Sequence, residues 1–368
     1  MNFQQNNNLS GSEASQPIPG EGQARSEPGR SSGLEVKTQS TRLGEGRGRS
    51  GKRTGWKVFL GIILALSIIA NIALVLVLIG VITIFAAGQR GILTEEVIRK
   101  GPASTKIAVI TVEGIIHGQC AEDVSRQLKA ARRDNRVKGL IVRVNSPGGT
   151  ISGSDQIYKE ILKYRQEEKK PVIAFMQGVA ASGGYYTSVA CEKIVAEPTT
   201  ITGSIGVISL YFVLQELLED KLGILPVVVK SGLKKDWPSS FQAPTEEQLQ
   251  YLQEKLITPA YERFVQIVAE GRKSSLTVNQ IRQLADGGIF GAQEALDEKL
   301  IDQIGYLDEA IELVKSLAGI EKAQVVEYRK PFSLVSFLNY RNQDALKINT
   351  DTLYELSAPR ILYLWTVY

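Results

Sequence analysis

The chain has 368 residues, of which 43% are hydrophobic and 22% charged, and its formal net charge is +4. This composition supports one sizeable core and one or two domains, and the presence of only two cysteines excludes a small scaffold held by disulfides. Neither Cys120 nor Cys191 lies in a CxxC or metal-ligand spacing, and the sequence contains no nucleotide motif. We therefore expect no metal and no cofactor.

Residues 1–54 are rich in Gly, Ser, Gln, Asn, Pro and Glu. They contain too few apolar side chains to offset the entropy lost on ordering, so we predict a disordered tail that lies in the cytoplasm. The basic stretch RGRSGKR at its end has no interleaved aromatic residues and directly precedes an apolar segment. A membrane-topology signal is therefore favoured over a nucleic-acid site, and no nucleic-acid partner is expected.

Residues 58–87 contain no charged side chain. The run exceeds the length needed to cross a hydrocarbon core of about 30 Å, and it is longer than the apolar region of about 7–15 residues in a signal peptide. It predicts a single transmembrane helix in contact with membrane lipid, although the small residues at its end leave cleavage there as an alternative. The Lys and Arg residues that precede it favour a cytoplasmic N-terminus, with the rest of the chain outside the cytoplasm.

Three β-branched runs follow, at 106–114, 137–149 and 170–184, and each ends in Gly- or Ser-rich residues. Helical patterns at 121–133 and 153–168 separate them. This alternation predicts βαβ crossovers and a parallel sheet that is buried on both faces. The fold class is therefore α/β, and ligands are expected at the carboxyl ends of the strands.

The second half of the chain continues the pattern with predicted strands at 193–209 and at 225–232, the latter with the sequence LPVVVKSG. A long amphipathic helix is predicted over 245–273, and its apolar stripe is either core or subunit interface. Two short helices are expected within 275–319. From Gln324 onward the residues form an irregular mixture of polar and aromatic types.

Ser182 lies in the stretch GVAASGGYYTS, between a predicted strand and a predicted helix. In one interpretation its hydroxyl caps the helix by accepting a backbone N–H. In the other, the sharp turn exposes the hydroxyl as a nucleophile, and free N–H groups of the turn receive an oxyanion. The motif alone favours the helix cap.

A nucleophilic serine needs a base, and His117 is the only histidine in the chain. It precedes Ser182, which is the reverse of the α/β-hydrolase order, so we interpret it as a satisfied polar residue at a strand end. Lys230, Lys234 and Lys235 follow the LPVVV run. Each is most simply a solvated turn residue. To act as a base, one of these lysines would have to be sheltered from water and neutral.

Four motifs, VNSPGG, AASGGYY, TGSIGV and KSGLKKD, occur in this order within about residues 105–320. Together they resemble the signal peptide peptidase A family of membrane-bound Ser/Lys proteases. The resemblance implies a ClpP/crotonase-like fold of repeated β-β-α units with a mostly parallel sheet, preceded by one transmembrane helix. It further implies a protease domain over 104–320 and a C-terminal tail over 321–368.

The resemblance also implies roles for individual residues. Ser182 is expected to be the nucleophile, Lys235 the general base, and Ser204 the group that orients the lysine. The N–H groups of Gly149 and Gly183 are expected to form the oxyanion hole. The alternatives are structural, since the glycines could serve a tight turn and Ser204 could bind its own loop.

Two adjacent lysines, Lys234 and Lys235, compete for the role of base. Alternation along a strand would send their side chains to opposite faces, so only one could point inward, and Lys235 is preferred. The two aromatic residues after the glycines, Tyr185 and Tyr186, are expected to belong to the core.

The function implied by the resemblance is that of a membrane-anchored serine endopeptidase without a cofactor. Its expected substrates are residual signal peptides and other apolar peptides. A ring-like homo-oligomer is implied, in which Ser182 of one protomer meets Lys235 of its neighbour. The alternatives are a catalytically silent membrane scaffold of the same fold and a crotonase-like acyl-CoA enzyme.

Overall fold

A mostly parallel sheet of nine strands organises the chain after residue 93. The structure, a computed structural model, describes residues 53–89, 93–330 and 360–366. The strands are β1 (Thr94–Arg99), β2 (Lys106–Glu113), β3 (Val137–Ser146), β4 (Gly148–Thr150), β5 (Val172–Ala181), β6 (Lys193–Ala196), β7 (Ile201–Gly203), β8 (Ile208–Leu210), β9 (Ile289–Gly291), β10 (Gln303–Ile304), β11 (Gln324–Arg329) and β12 (Arg360–Leu364).

The main sheet has the order β1-β11-β2-β3-β5-β6-β10, and β7 joins β5 and β9 at one end. All pairings in it are parallel except those of β1 with β11 and β7 with β9. The register of β3 against its neighbours places Leu140 beside Ala108 and Val172. The predicted α/β class with a mostly parallel sheet is therefore confirmed. A second, three-stranded sheet has the order β4-β12-β8.

Helices cover both faces of the main sheet, which explains why its central strands are continuous apolar runs. Alternate residues of β3 show this, because Val142 belongs to the core under α2, α3, α4 and α6, while Ile141 belongs to the core under α9. The helices are α1 (Arg53–Gln89), α2 (Gly118–Arg133), α3 (Ile151–Glu168), α4 (Gly183–Ser188), α5 (Glu246–Leu252), α6 (Thr258–Gly271), α7 (Val278–Leu284), α8 (Ala292–Asp297) and α9 (Leu307–Ala318).

Helix α1 contains the predicted membrane segment. It is 37 residues long, and the stretch Gly55–Thr83 is long and apolar enough to cross a membrane. Its length and composition are those of a membrane-associated segment. The predicted disordered tail, residues 1–54, lies outside the described residues except for its last two residues, which begin α1.

The prediction of a strand at 225–232 is wrong. The segment has no regular secondary structure and pairs with no strand in the described ranges, and Val227 and Val229 are 79% and 95% exposed. A β-branched run forms a strand only when a neighbouring strand and a covering layer receive it, because β-propensity measures the fit to a pleated, half-buried surface. The neighbouring LKKD sequence is also not extended, since Leu233–Asp236 forms a 3₁₀ turn.

The predicted long helix over 245–273 is present as α5 and α6, joined by a π-helical turn at Gln253–Ile257. Its apolar stripe divides into two parts. Phe264 and Val268 in α6 are fully buried in the core, whereas Leu249 in α5 is 49% exposed. The stripe is therefore core throughout α6, whereas in α5 it combines buried Leu252 with exposed Leu249.

The C-terminal region differs from the irregular tail predicted from Gln324 onward. Strand β11 lies inside the main sheet beside β2, and β12 lies between β4 and β8. Their partners are at least 150 residues away in sequence, so no local turn signal marks these strands. Residues 331–359 of the predicted tail lie outside the described residues.

A buried ion pair ties the end of α6 to the region of β6 and β10. The Arg272 guanidinium donates to Asp302 at 2.7 Å and to the carbonyl groups of Lys299 and Ile301 at 2.9 and 3.2 Å. Asp302 also accepts the Ile194 N–H at 2.8 Å. Burial would raise the pKa of the Asp302 carboxyl, but the hydrogen bond and charge of Arg272 outweigh it and hold this pKa below its usual value.

Replacing Asp302 by alanine should lower the free energy of unfolding by about 3–5 kcal/mol, because it leaves the buried Arg272 charge without its carboxylate. Since the folded-state pKa is lowered, the stabilisation is present above the unfolded pKa of about 3.9 and is lost as the pH falls through the folded value. Denaturant unfolding of the detergent-solubilised protein tests this. Asp297→Ala, on the exposed side of α8, is the control and should change stability little. An equally small effect of Asp302→Ala would contradict the prediction.

Candidate active site

Ser182 lies at the sharp turn between β5 and α4. It is 1% exposed, and its backbone angles are φ 51° and ψ −113°. These angles are unfavourable for a residue with a Cβ and are found mostly where the surroundings enforce them. Its N–H donates to the Gly203 carbonyl at 2.8 Å, and its own carbonyl accepts the Tyr186 N–H at 2.8 Å. The backbone therefore holds the strained turn from both sides.

The hydroxyl of Ser182 does not cap α4. The residue occupies the N-cap position, yet its side chain makes no capping hydrogen bond. The interpretation of Ser182 as a helix cap is therefore wrong for its side chain. A buried hydroxyl with no structural bond to another described residue is available for chemistry.

Ser204 lies on the same cavity as Ser182. It follows β7, has φ 49° and is 7% exposed, and its N–H donates to the Gly288 carbonyl at 2.7 Å. Its hydroxyl makes no hydrogen bond within the part of the chain that is described. Both serines line a cavity of about 410 Å³, which Thr258 and Leu364 also border. The structure thus brings together two of the residues predicted for the site.

The turn between β3 and β4 runs beside the Ser182 turn. The Gly148 N–H donates to the Ser146 hydroxyl at 3.1 Å, so this amide is occupied. The Gly148 carbonyl accepts the Ile116 N–H at 2.8 Å, and the Thr150 N–H returns to the Ile116 carbonyl at 2.7 Å. On the opposite edge of the turn from Ile116, Gly149 pairs with Tyr363 of β12.

Strand β12 lies antiparallel between β4 and β8, next to Ser182. Gly148 has φ +100°, and a Cβ on it would lie 2.0 Å from the Tyr363 carbonyl oxygen, so only glycine allows this approach. A Cβ on Gly183 would lie 3.1 Å from the same oxygen. The Tyr363 carbonyl therefore lies between the Gly148–Gly149 turn and the turn of Ser182. Sequence reasoning missed this strand.

The three candidate lysines have different surroundings. Lys230 binds Asp236 at 2.7 and 2.8 Å. The Lys234 ammonium lies 4.5 Å from the ring centre of Tyr251 and 5.1 Å from that of Trp237. Lys235 is exposed and makes no hydrogen bond or ion pair with a residue that the structure describes.

Lys235 does not line the cavity that Ser182 and Ser204 share. The alternation argument for the two lysines also rested on a strand, and they lie instead in the 3₁₀ turn Leu233–Asp236. Successive residues of such a turn still point about 120° apart, because it has three residues per turn. Only one of the two lysines can therefore face a given neighbour.

The remaining candidates are structural. His117 is the N-cap of α2, where its Nδ1 accepts the Cys120 N–H at 3.4 Å. Tyr185 is buried and its hydroxyl donates to the Leu300 carbonyl at 2.9 Å. Cys191 is buried in the core, where burial raises the pKa of its thiol to about 12. Among the described residues, no group of His, Cys, Asp and Glu suits a metal ion.

Two family models match overlapping parts of the chain. The family model described as Peptidase family S49 matches residues 164–321, and the one described as Clp protease matches residues 102–200. A candidate signal peptide peptidase SppA of Enterococcus faecium is 38% identical, over 64% of this chain and 71% of its own. A candidate protease of Synechocystis sp. is 39% identical, over 60% of this chain and 77% of its own.

A more distant relative extends the similarity to plants. The chloroplastic serine protease SPPA of Arabidopsis thaliana is 35% identical, over 63% of this chain and 33% of its own. The matched region of this chain includes the turn that holds Ser182. The chain therefore belongs to peptidase family S49, and it is a serine peptidase with a Clp-like fold.

Proposed function

We propose that this protein is a membrane-anchored endopeptidase that cleaves residual signal peptides and other apolar peptides with Ser182 as its nucleophile. The observation that carries the proposal is the geometry of Ser182, which is buried, held at positive φ and free of the capping bond that its position offers. The name of the Enterococcus faecium relative supports signal peptides as the substrate class.

The proposed mode of substrate binding is strand addition between β4 and β8. Residues 360–364 occupy this position in the structure and pair with both neighbours. A peptide substrate would take their place, with affinity from main-chain hydrogen bonds and selectivity from pockets for its side chains. The occupying sequence, RILYL, is mostly apolar, which supports apolar substrates.

In the proposed reaction, Ser182 Oγ attacks the substrate carbonyl carbon while its proton passes to the neutral amine of Lys235. The N–H groups of Gly149 and Gly183 stabilise the oxyanion. The C–N bond then breaks, and the leaving amine takes the proton from the lysine. Water attacks the acyl ester with the same lysine as base, which releases the acid and restores Ser182. Ser204 orients the lysine by accepting a hydrogen bond from its amine.

Lys235 is proposed to reach Ser182 from a second copy of the chain. It belongs to residues 211–236, here called the arm, which carry an unusual number of exposed apolar side chains. Such a surface is typical of an interface between subunits. The exposed members are Phe212, Val213, Leu217, Leu222, Ile224, Leu225, Val227, Val228, Val229 and Leu233.

Two observations favour a second copy as the partner of the arm. The cavity of Ser182 has no lysine among its lining residues, and the arm presents Lys235 without a partner among the described residues of its own chain. A head-to-tail contact would place Lys235 of one copy at the Ser182 cavity of the next copy. Repeated contacts of this kind close into a ring. The homo-oligomer thereby completes the catalytic pair.

The proposed topology follows from the charges around α1. Basic residues precede the apolar segment, so the N-terminus is assigned to the cytoplasm and the peptidase domain to the other side of the membrane. Fusing a reporter that is active only outside the cytoplasm to the end of the peptidase domain tests this assignment. The assignment is wrong if this reporter is inactive and a reporter that works only in the cytoplasm is active at the same position.

A serine-directed fluorophosphonate should label the wild-type protein at Ser182, and Ser182→Ala should remove both the labelling and the peptidase activity. The expected loss of kcat/KM is at least about 10³-fold, because the nucleophile itself is removed. Labelling is measured by mass spectrometry, and hydrolysis with an apolar fluorogenic peptide.

Ser188→Ala, in the same short helix, is the matched control for this experiment. Its hydroxyl donates to the Gly184 carbonyl at 2.8 Å, so its loss should leave labelling and turnover close to wild type. If the wild-type protein neither reacts with the reagent nor cleaves the peptide, the catalytically silent scaffold is the better description.

A further inference from the structure

The hydroxyl of Ser146, the last residue of β3, joins two backbone segments beside the proposed active site. Ser146 is fully buried, and its hydroxyl donates to the Gly114 carbonyl at 2.6 Å. The same oxygen accepts the Gly148 N–H at 3.1 Å. One side chain therefore links the loop that follows β2 to the turn that contains Gly148 and Gly149.

The loop after β2 is also held against this turn by backbone bonds. The Gly114 N–H donates to the Asn145 carbonyl at 2.9 Å, and the Ile116 N–H donates to the Gly148 carbonyl at 2.8 Å. Gly114 has φ +68°, a conformation that glycine adopts at no steric cost. The loop therefore lies along the turn, and the Ser146 hydroxyl is bonded to both.

These bonds set the direction of the Gly149 N–H, which is the proposed oxyanion donor. The Gly148 carbonyl and the Gly149 N–H belong to one trans peptide unit, in which the C=O and N–H point in opposite directions. Since the carbonyl is bonded to Ile116, the N–H points away from the loop. A Cβ on Gly148 would lie 2.7 Å from the Gly183 nitrogen, so the turn of Ser182 packs directly against this one.

A peptide unit between two glycines needs such restraints, because glycine adopts positive and negative φ about equally readily. Gly148 itself has φ +100°. Rotation of the unit between Gly148 and Gly149 would turn the carbonyl oxygen toward the proposed oxyanion and the N–H away from it. The Ser146 hydroxyl opposes this rotation, because it binds the N–H of Gly148 and holds the loop whose Ile116 N–H binds the carbonyl.

We propose that Ser146 is a positioning residue of this peptidase, whose buried hydroxyl keeps the Gly149 N–H directed at the oxyanion. The inference rests on the proposed function, in which Ser182 attacks a carbonyl carbon and Gly149 stabilises the charge that develops on its oxygen. Ser146 does not touch the substrate in this role. It acts by preorganising a backbone dipole that the transition state needs.

Ser146→Ala should lower kcat about 10- to 100-fold, since losing an oxyanion donor costs about 10²- to 10³-fold and a poorly oriented donor should cost less. KM should change by less than about 3-fold, because the negative oxygen is present in the transition state and not in the bound substrate. Ser146→Cys keeps a weaker donor and acceptor at the same place, so its kcat should be intermediate. Both constants are measured with an apolar fluorogenic peptide and the detergent-solubilised full chain.

Two inhibitors of the same peptide sequence separate positioning from a general loss of structure. Ser182 Oγ adds to the carbonyl carbon of a peptide aldehyde while its proton passes to the lysine, so the aldehyde oxygen becomes the oxyanion of a hemiacetal. The corresponding peptide alcohol binds without a covalent bond. In Ser146→Ala, Ki should rise about 10- to 100-fold for the aldehyde and less than about 3-fold for the alcohol.

The ratio of the two Ki values is the decisive measurement. It does not depend on how much of a variant is folded, and residues 360–364 of the chain compete equally with both inhibitors. Ser188→Ala is the matched control. Ser188 is also fully buried, and its hydroxyl donates to the Gly184 carbonyl at 2.8 Å, so its substitution removes a buried hydroxyl without releasing Gly148. Its kcat, KM and Ki ratio should stay close to wild type.

The outcomes separate the role of Ser146 from the function on which it rests. Equal changes of the two Ki values in Ser146→Ala, or a ratio that stays at the wild-type value, would overturn the positioning role and leave the peptidase function in place. If Ser146→Ala does not fold, Ser146→Cys provides the same comparison with the same expected direction. If the wild-type protein neither hydrolyses the peptide nor reacts with the fluorophosphonate, the proposed function fails and the positioning role with it.

Discussion

Lys235→Ala should abolish peptide hydrolysis, whereas Lys234→Ala should reduce it by no more than a few-fold. The Lys234 ammonium is held over the rings of Tyr251 and Trp237 on its own chain, and Lys235 has no partner among the described residues. Removing Lys234 therefore loses a cation–π contact of about 0.5–2 kcal/mol, while removing Lys235 takes away the proposed base. The measurement is kcat/KM with one apolar peptide.

A third variant distinguishes proton transfer by Lys235 from an effect of its positive charge. Lys235→Arg keeps the positive charge and most of the length, but a guanidinium does not lose its proton in a protein, so this variant should also be inactive. Activity in Lys235→Arg would show that the residue acts through its charge alone. Loss of activity in Lys234→Ala together with an active Lys235→Ala would show that the base is the other lysine.

The parts of the fold that could be predicted are those whose signals are local. The runs that became β2, β3 and β5 are β-branched, end in Gly or Ser and alternate with helical patterns, so the parallel sheet followed directly. The position of Ser182 at a strand-to-helix turn could also be predicted from AASGG. Its conformation could not, because positive φ at a serine is imposed by bonds to Gly203 and Tyr186.

The parts that could not be predicted depend on pairing between distant segments. Thr94 of β1 pairs with Arg329, and Gly149 pairs with Tyr363, and nothing near either residue specifies its partner. The LPVVV run gave the opposite error, a predicted strand that is not formed. Its apolar residues were interpreted as part of the chain's own sheet. The three valines instead contribute to the exposed surface of the arm.

The role of Tyr186 shows how a correct prediction can be incomplete. The residue is in the core, as expected, since it is fully buried and packs on Phe264 at 5.0 Å. The same ring also stacks on Tyr363 of β12, with 4.9 Å between the ring centres. Burial was predictable from the apolar surroundings of the motif, but the second contact requires a strand that begins more than 170 residues later.

A mixture of Ser182→Ala and Lys235→Ala protomers should regain activity, although each variant alone is inactive. In a head-to-tail ring each site takes its serine from one protomer and its lysine from the next. Random co-assembly of equal amounts should then restore about one quarter of the sites, since a Lys235→Ala protomer must supply the serine and a Ser182→Ala protomer the lysine.

The experiment co-expresses the two variants with different tags and purifies the complexes through both tags in sequence, so that only mixed assemblies are assayed. The control pairs Ser182→Ala with the double variant Ser182→Ala, Lys235→Ala, which supplies no serine and should remain inactive.

Mixed assemblies that show no activity would place Ser182 and Lys235 of each site on the same protomer. In that case the arm would have to fold back onto its own chain, and Val227 and Val229, exposed in this structure, would become buried in a monomeric enzyme. Recovered activity requires instead that the apolar surface of the arm is covered by a second copy, because only that contact brings an intact lysine to an intact serine.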